Sequence, residues 1–197
     1  MTTDGLTERR LRSTQVLDGH FLKAFRDDVA LPDGAQTVRE YIVHPGAVMV
    51  IPLLETPQGL QLVLERQYRY PIGEVMIEFP AGKLDPGESP WLCAQRELHE
   101  ETGYTATEWA HAGVLHPVIS YSTEFIDIWF ARGLRGGERK LDEGEFLEVF
   151  TATPGQLLDW CRHGQVTDAK TLSGALWLQN VLSGAWSLAW QSAGGAA

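Results

Sequence analysis

Apolar positions along the chain change period several times, and each change marks an element. Residues 13–17, 21–27 and 36–43 read as strands separated by turns. The turn Leu31-Pro32-Asp33-Gly34 carries Pro and Gly where a β-turn wants them. These strands hold few large apolar residues, so the sheet they build needs another surface to pack on. Residues 46–54 form a near-continuous apolar run, the pattern of a strand buried on both faces. Further strands are predicted at 60–65 and 74–79. The period changes at Ser89, after which Trp91, Leu92, Gln95, Leu98 and Thr102 recur at three- and four-residue spacing and mark one face of a helix. Strand character returns at 114–120, 125–131 and 146–151. Residues 154–163 and 168–182 then read as helices, the second striped by Leu172, Ala175, Leu176 and Leu182. Residues 1–10 read as a frayed tail and 191–197 as disordered. Strands broken by one helix and closed by two predict an α/β sandwich around a mixed sheet. A β-rich region, 1–43, with a small antiparallel sheet precedes a main domain, 44–190.

Composition adds limits. Of 197 residues, 44% are hydrophobic and 10% aromatic, enough for a packed interior. The net charge of -10, from 16 basic and 26 acidic residues, argues against a nucleic-acid partner or an anionic membrane surface. It leaves an anionic small molecule open, because bound metals and a few placed arginines reverse a local field. The longest apolar run, 47–54, is short and contains Pro52, so no segment is long enough to span a bilayer, and the N-terminal residues lack a signal core. Cys93 and Cys161 lack metal-ligand or redox spacing. A soluble, reducing, cytoplasmic setting is the expectation.

The chemistry concentrates in residues 82–104, GKLDPGESPWLCAQRELHEETGY. Ser89 is suited to the helix N-cap, Pro90 to the first helical position, and Gly103 to a left-handed C-terminal residue. Glu97 and Glu101, four apart, point the same way, with Glu100 beside them; Trp91, Leu92 and Leu98 are expected to anchor the opposite face. Like charges one turn apart cost roughly 0.2–0.5 kcal/mol per pair. Glu88 lies just ahead, and Arg96 is the adjacent cation. A hard divalent ion relieves such a concentration, since it selects carboxylate oxygens.

The spacing G-x5-E-x7-R-E-L-x-E-E-x-G-Y resembles the box of the Nudix hydrolase family, with Tyr104 where an aliphatic residue is usual. The resemblance implies a Nudix-type α/β/α sandwich and hydrolysis of a nucleoside diphosphate linked to another moiety. It also implies Mg2+, with Mn2+ as a substitute, held by Glu97, Glu101, Glu100 and the carbonyl of Ala81. Gly82, Glu88, Arg96 and Gly103 take structural or orienting roles, Arg96 holding Glu88 or Glu100.

The flanks are similar to the ADP-ribose pyrophosphatase branch. The segment ERQYRYPIGEVMIEFPAG implies Arg69 on the substrate diphosphate and Glu78 in a supporting or ribose role. The loop around Glu124 keeps a serine and the glutamate of that branch's S-P-G-x-S-x-E loop but lacks its Pro-Gly. The acidic loop 135–145 resembles that branch's D-E-x-E loop, which implies Glu143 or Glu145 at the nucleophilic water alongside Glu101, with Glu145 favoured because it adjoins a strand. Phe21 and Glu40 are the positions for base recognition, and the N-terminal sheet implies a homodimer. A GDP-mannose hydrolase is the nearest alternative; an ADP-ribose or NAD sensor that does not cleave is a second, disfavoured because every box carboxylate is present.

Overall fold

A computed structural model describes residues 4–194. The chain divides into two compact units, one of the residues through Gly46 with His116–Phe125, the other of Ala47–Leu115 and everything from Ile126 on.

The first unit is a three-stranded antiparallel sheet in the order β1 (Arg9–Asp18), β2 (Lys23–Ala30), β3 (Gln36–Val43). Pairing extends further toward the N-terminus than a frayed tail through residue 10: Arg9 and Arg10 stand opposite Ala30 and Val29. Residues 1–3 of that expected tail lie outside the described residues. The segment 116–125 joins this unit through backbone bonds, the Ile42 N–H to the Tyr121 carbonyl at 2.9 Å and the Thr123 N–H to the Ile42 carbonyl at 3.0 Å. All ten residues of β1 are exposed, as expected of a sheet with little apolar content.

The second unit contains β4 (Ala47–Thr56), β5 (Gly59–Arg69), β6 (Glu74–Glu78), β7 (Ala81–Lys83), α1 (Pro90–Thr102), β8 (Tyr104–Leu115), β9 (Ile126–Gly136), β10 (Leu147–Ala152), α2 (Pro154–Arg162), α3 (Ala169–Leu182) and β11 (Gln191–Ser192). The sheet order is β10-β5-β4-β9-β8-β11, with β6 paired to β5 and β7 to β4. The β4–β9 pair is parallel and the others antiparallel, so the sheet is mixed.

Strand alternation builds two cores from β4. Met49, Ile51 and Leu53 pack with Phe79, Leu157, Ala175 and Leu178 under α2 and α3. Val48 and Val50 face the other way, onto Cys93, Ala94 and Leu98 of α1 with Trp109 and Trp129. The result is an α/β/α sandwich in which the apolar run is buried on both faces.

Several expectations change. The strand expected at 114–120 ends at Leu115, and Pro117, which has no N–H for a ladder, opens a turn. Leu92 is 57% exposed and does not anchor α1. It lies 100° round the helix from Trp91, off the stripe completed by Ala94 and Leu98. In α3 the buried positions are Thr171, Gly174, Ala175 and Leu178, while Leu172, Leu176 and Leu182 are exposed. The expected disordered tail begins instead with β11, whose Gln191 and Ser192 pair with Trp109 and Glu108; residues 195–197 lie outside the described residues.

The buried stripe of α1 is testable by unfolding in urea. Leu98→Ala should cost about 2–5 kcal/mol, the usual range for a buried leucine, whereas Leu92→Ala should stay within about 0.5 kcal/mol.

Candidate functional site

The helix α1 is held at both ends. Ser89 Oγ accepts from the Leu92 N–H at 3.3 Å, and Pro90 occupies the first turn. Gly103 closes the helix at φ 76°, its N–H bonded to the His99 carbonyl at 2.8 Å. A side chain at Gly103 would stand 2.5 Å from the Gly137 carbonyl oxygen, so glycine is required for the following loop to lie against the helix end.

The same helix presses its carboxylates onto β7. The Glu97 carboxylate occupies the space that a Cβ on Gly82 would fill. Glu101 Oε2 accepts from the Ala81 N–H at 3.0 Å. Glu97 and Glu101 are only 9% and 2% exposed, so they border the buried stripe rather than stand opposite it. Burial raises Glu97 to about 7, against the partial relief of Arg96. Burial also raises Glu101 well above the ordinary carboxylate range, and the charges of Glu65, Glu97 and Glu145 add to the shift.

Arg96 binds the remaining box carboxylates. Its Nε and Nη2 fork onto Glu88 at 2.9 and 2.8 Å, and its Nη1 reaches Glu97 at 2.7 Å and Glu100 at 2.9 Å. Nη2 also donates to the Lys83 carbonyl at 3.0 Å. The Arg96 bond holds Glu88 down at about 2. The guanidinium thus touches both Glu88 and Glu100, and Glu97 as well.

A second cluster forms where β5 and β6 end. Arg69 forks onto Glu78, Nε to Oε1 at 2.7 Å and Nη2 to Oε2 at 2.8 Å. Lys170, at the start of α3, bonds the same Glu78 and lies 3.1 Å from Asp168, the helix N-cap. Burial pushes the Glu78 carboxyl up, but the two cations outweigh it and hold it below the ordinary range. Lys170 has no sequence signal, because only the fold carries the first turn of a late helix to the end of an early strand. Glu65 was also missed: at the end of a strand-like run it resembles a solvated residue, yet it is 0% exposed.

The loop between β9 and β10 is tied to α1 through the Lys140 N–H and the Glu100 carbonyl, 3.0 Å apart. A turn joins the Asp142 carbonyl to the Glu145 N–H at 3.1 Å. Glu145 is half-buried and its charge raises Glu65, Glu97 and Glu101, while Glu143 is exposed.

Phe21, Glu40 and Glu124 lie in the first unit. Phe21 meets His44 edge-on at 5.4 Å, and Glu124 Oε1 lies 3.9 Å from His44 Nε2, so His44 joins these two residues. Glu40 is exposed opposite Arg26 in the β2–β3 ladder.

Among the described residues no three His, Cys, Asp or Glu side chains converge as a finished metal cage. Glu97 and Glu100 are turned to Arg96, and Glu101 to the Ala81 N–H. The donor set nevertheless fits a hard divalent cation: every candidate ligand is oxygen, and two of the carboxylates are buried where only a cation would favour their charge.

Comparison with known proteins finds relatives over most of the chain. The sequence pattern described as NUDIX domain matches residues 43–173, and that of the nucleoside diphosphate sugar hydrolase N-terminal domain matches residues 8–42. The chain is 36% identical over 176 residues to the ADP-ribose pyrophosphatase of Bacillus subtilis, which covers 88% of this chain and 94% of that protein. The methanol dehydrogenase activator of Bacillus methanolicus is also 36% identical over 176 residues, covering 87% and 92%. A crystal structure of an ADP compounds hydrolase superposes with a TM-score of 0.80 at 25% identity, covering 91% of this chain and 97% of that one.

The buried carboxylates make stability depend on pH with a definite sign. Glu97 ionises near 4.5 when unfolded but near 7 when folded, and Glu101 is raised as well. Between those values the unfolded chain releases protons that the folded chain keeps, so stability falls as pH rises. Glu88 and Glu78, shifted the other way, act only below that window. In EDTA, the Tm should therefore fall from pH 5 to pH 8, and Glu97→Gln should flatten part of the fall. A profile that rises with pH in both proteins would contradict the assignment.

Proposed function

The chain belongs to the Nudix hydrolase family, and from that premise we propose that it hydrolyses the diphosphate of ADP-ribose or a related nucleoside diphosphate sugar in a Mg2+-dependent reaction. The observation that carries this reading is the seam at β7, where Glu97 and Glu101 are pressed onto Gly82 and Ala81 within reach of the Glu145 charge. The names of the Bacillus subtilis relative and of the superposed hydrolase, with the match over residues 8–42, support the substrate class.

In this reading Glu97, Glu101, Glu100 and the Ala81 carbonyl hold the metal. Bound Mg2+, or Mn2+ in its place, would neutralise the diphosphate and make a bound water more acidic. Glu145 accepts the proton of the attacking water, whose oxygen bonds to one phosphorus as that phosphorus's own bond to the bridging oxygen breaks; the other phosphate leaves with the bridging oxygen. ADP-ribose then yields AMP and ribose 5-phosphate. Arg69 forks onto the diphosphate oxygens, the geometry a guanidinium suits, and Glu78 with Lys170 sets its position. Arg96 keeps Glu88, Glu97 and Glu100 from scattering. Glu143 is the alternative base, but its exposure favours Glu145. Phe21, Glu40 and Glu124 are the proposed contacts to base and ribose, and GDP-mannose is the alternative substrate to exclude.

We also infer a homodimer in which a second copy covers β1, whose exposed residues include Leu11, Val16 and Leu17. The setting is expected to be cytoplasmic; no helix among the described residues is long and apolar enough to cross a membrane.

Two measurements test these proposals. Nucleoside monophosphate release, AMP from ADP-ribose and NADH and GMP from GDP-mannose, should be greatest for ADP-ribose and should stop in EDTA. Glu145→Gln should lower kcat by about 10²–10⁴-fold, the range of general acid–base catalysis, and Glu97→Gln or Glu101→Gln should abolish metal-dependent turnover. Full turnover in the last two variants would sink the metal assignment. Light scattering should give the mass of two chains, falling toward one in Leu11→Lys/Val16→Lys; a monomer in the unmodified protein would remove the dimer.

A further inference from the structure

A carboxylate placed in the interior is costly unless a partner answers it. Glu65 sits in the middle of β5, between Glu78 of β6 and Val149 of β10, and is 0% exposed. Alternation sends Leu62 and Leu64 into the core under α2 and α3, so Glu65 points from the opposite face, the one on which α1 packs. Neither of its oxygens has a hydrogen-bond partner among the described residues. Its charge is the strongest side-chain charge acting on Glu101, and those of Glu78, Lys170, Arg69 and Glu145 act on it in turn.

No hydrogen bond among the described residues satisfies this group. As a carboxylate it faces Glu78, Glu101 and Glu145, and the two nearby cations, Arg69 and Lys170, are bonded to Glu78. As a neutral acid it would add an O–H donor at a place where neither oxygen has a hydrogen-bond partner among the described residues. A strand that needed only packing at this point would carry valine, as at Val63 two residues earlier. A hydrated divalent cation answers both demands, since it brings positive charge and water donors together. We propose that Glu65 is an anionic oxygen donor to the divalent cation held by Glu101, reaching the ion or a water in its coordination shell. This rests on the metal site proposed above and adds to it a carboxylate from outside the box helix.

The test uses Mn2+ alone, without nucleotide, and reads binding by calorimetry and thermal shift. Glu65→Gln should weaken Mn2+ binding about 10–100-fold, as loss of a group that supports metal ligands does. Glu65→Val suits the strand and removes an unanswered carboxylate; it should raise the metal-free Tm yet shrink the rise that Mn2+ produces. A purely structural Glu65 would not couple those two changes. Mn2+ affinity unchanged in either folded variant overturns the proposal. Anomalous scattering from manganese-soaked crystals of the unmodified protein gives an independent reading. The ion, or a water bound to it, should lie within bonding reach of a Glu65 oxygen; an ion beside Glu101 with Glu65 still unbonded also overturns it. Binding lost in Glu97→Gln but kept in Glu65→Gln leaves the metal site standing and removes only Glu65. No Mn2+ binding by the unmodified protein removes both.

Discussion

The structure of the main unit depends on one close approach, that of α1 to the three residues of β7. Glu97 fills the space over Gly82, and Glu101 bonds the Ala81 N–H. Neither contact survives a shift of the helix by even part of a turn. What prevents the shift is apolar: Cys93, Ala94 and Leu98 are locked against Val48, Val50, Trp109 and Trp129. Because β4 pairs with both β7 and β9, the strand that carries this core also fixes the backbone that the carboxylates meet. A charged site is thus held in place by dispersion and burial, forces indifferent to the charge itself.

Electrostatics then works against the fold. Glu97 and Glu101 are buried, and both are pushed toward the neutral form. The chain answers by separating its cations into two stations. Arg96 serves Glu88, Glu97 and Glu100 at one end of the box, while Arg69 and Lys170 serve Glu78 at the ends of β5 and β6. Among the described residues Glu101 and Glu65 receive neither a salt bridge nor a forked guanidinium. A site that balanced every carboxylate internally would leave nothing for a cation to gain by binding. On the proposed metal site, the imbalance would make metal affinity and metal-free instability two sides of one arrangement.

Much of this was legible along the chain, for identifiable reasons. The apolar run of β4 and the caps of α1 are local signals, and Ser89, Pro90 and Gly103 act as their positions suggest. The box carboxylates were readable because helical spacing brings Glu97 and Glu101 to one side. Leu92 is apolar, but its angle on the helix puts it outside the buried stripe, and in residues 114–120 Pro117 overrides the apolar content and ends the strand. Lys170 and Glu65 were not readable in principle. Lys170 meets Glu78 across 92 residues of chain, and the burial of Glu65 arises only when β6 and β10 close on either side of β5. The meeting of Phe21 and Glu124 at His44 likewise requires the segment 116–125 to join β3.

The loop before β10 shows how these levels combine. Gly103 leaves room for Gly137, and the Lys140 N–H takes the Glu100 carbonyl, so the loop starts from the end of the box helix itself. At its other end Leu147 enters the ladder opposite Gln67 of β5. The loop that carries Glu145 is therefore anchored at both ends, by the helix that carries the proposed metal ligands and by the strand that carries Glu65 and Arg69. Between those anchors the backbone is held by few bonds, one of them the turn from Asp142 to Glu145. Such a segment is free to adjust locally while its ends stay registered to the site. That is what the proposed role of Glu145 as the base requires, since it would meet a water only when substrate is in place.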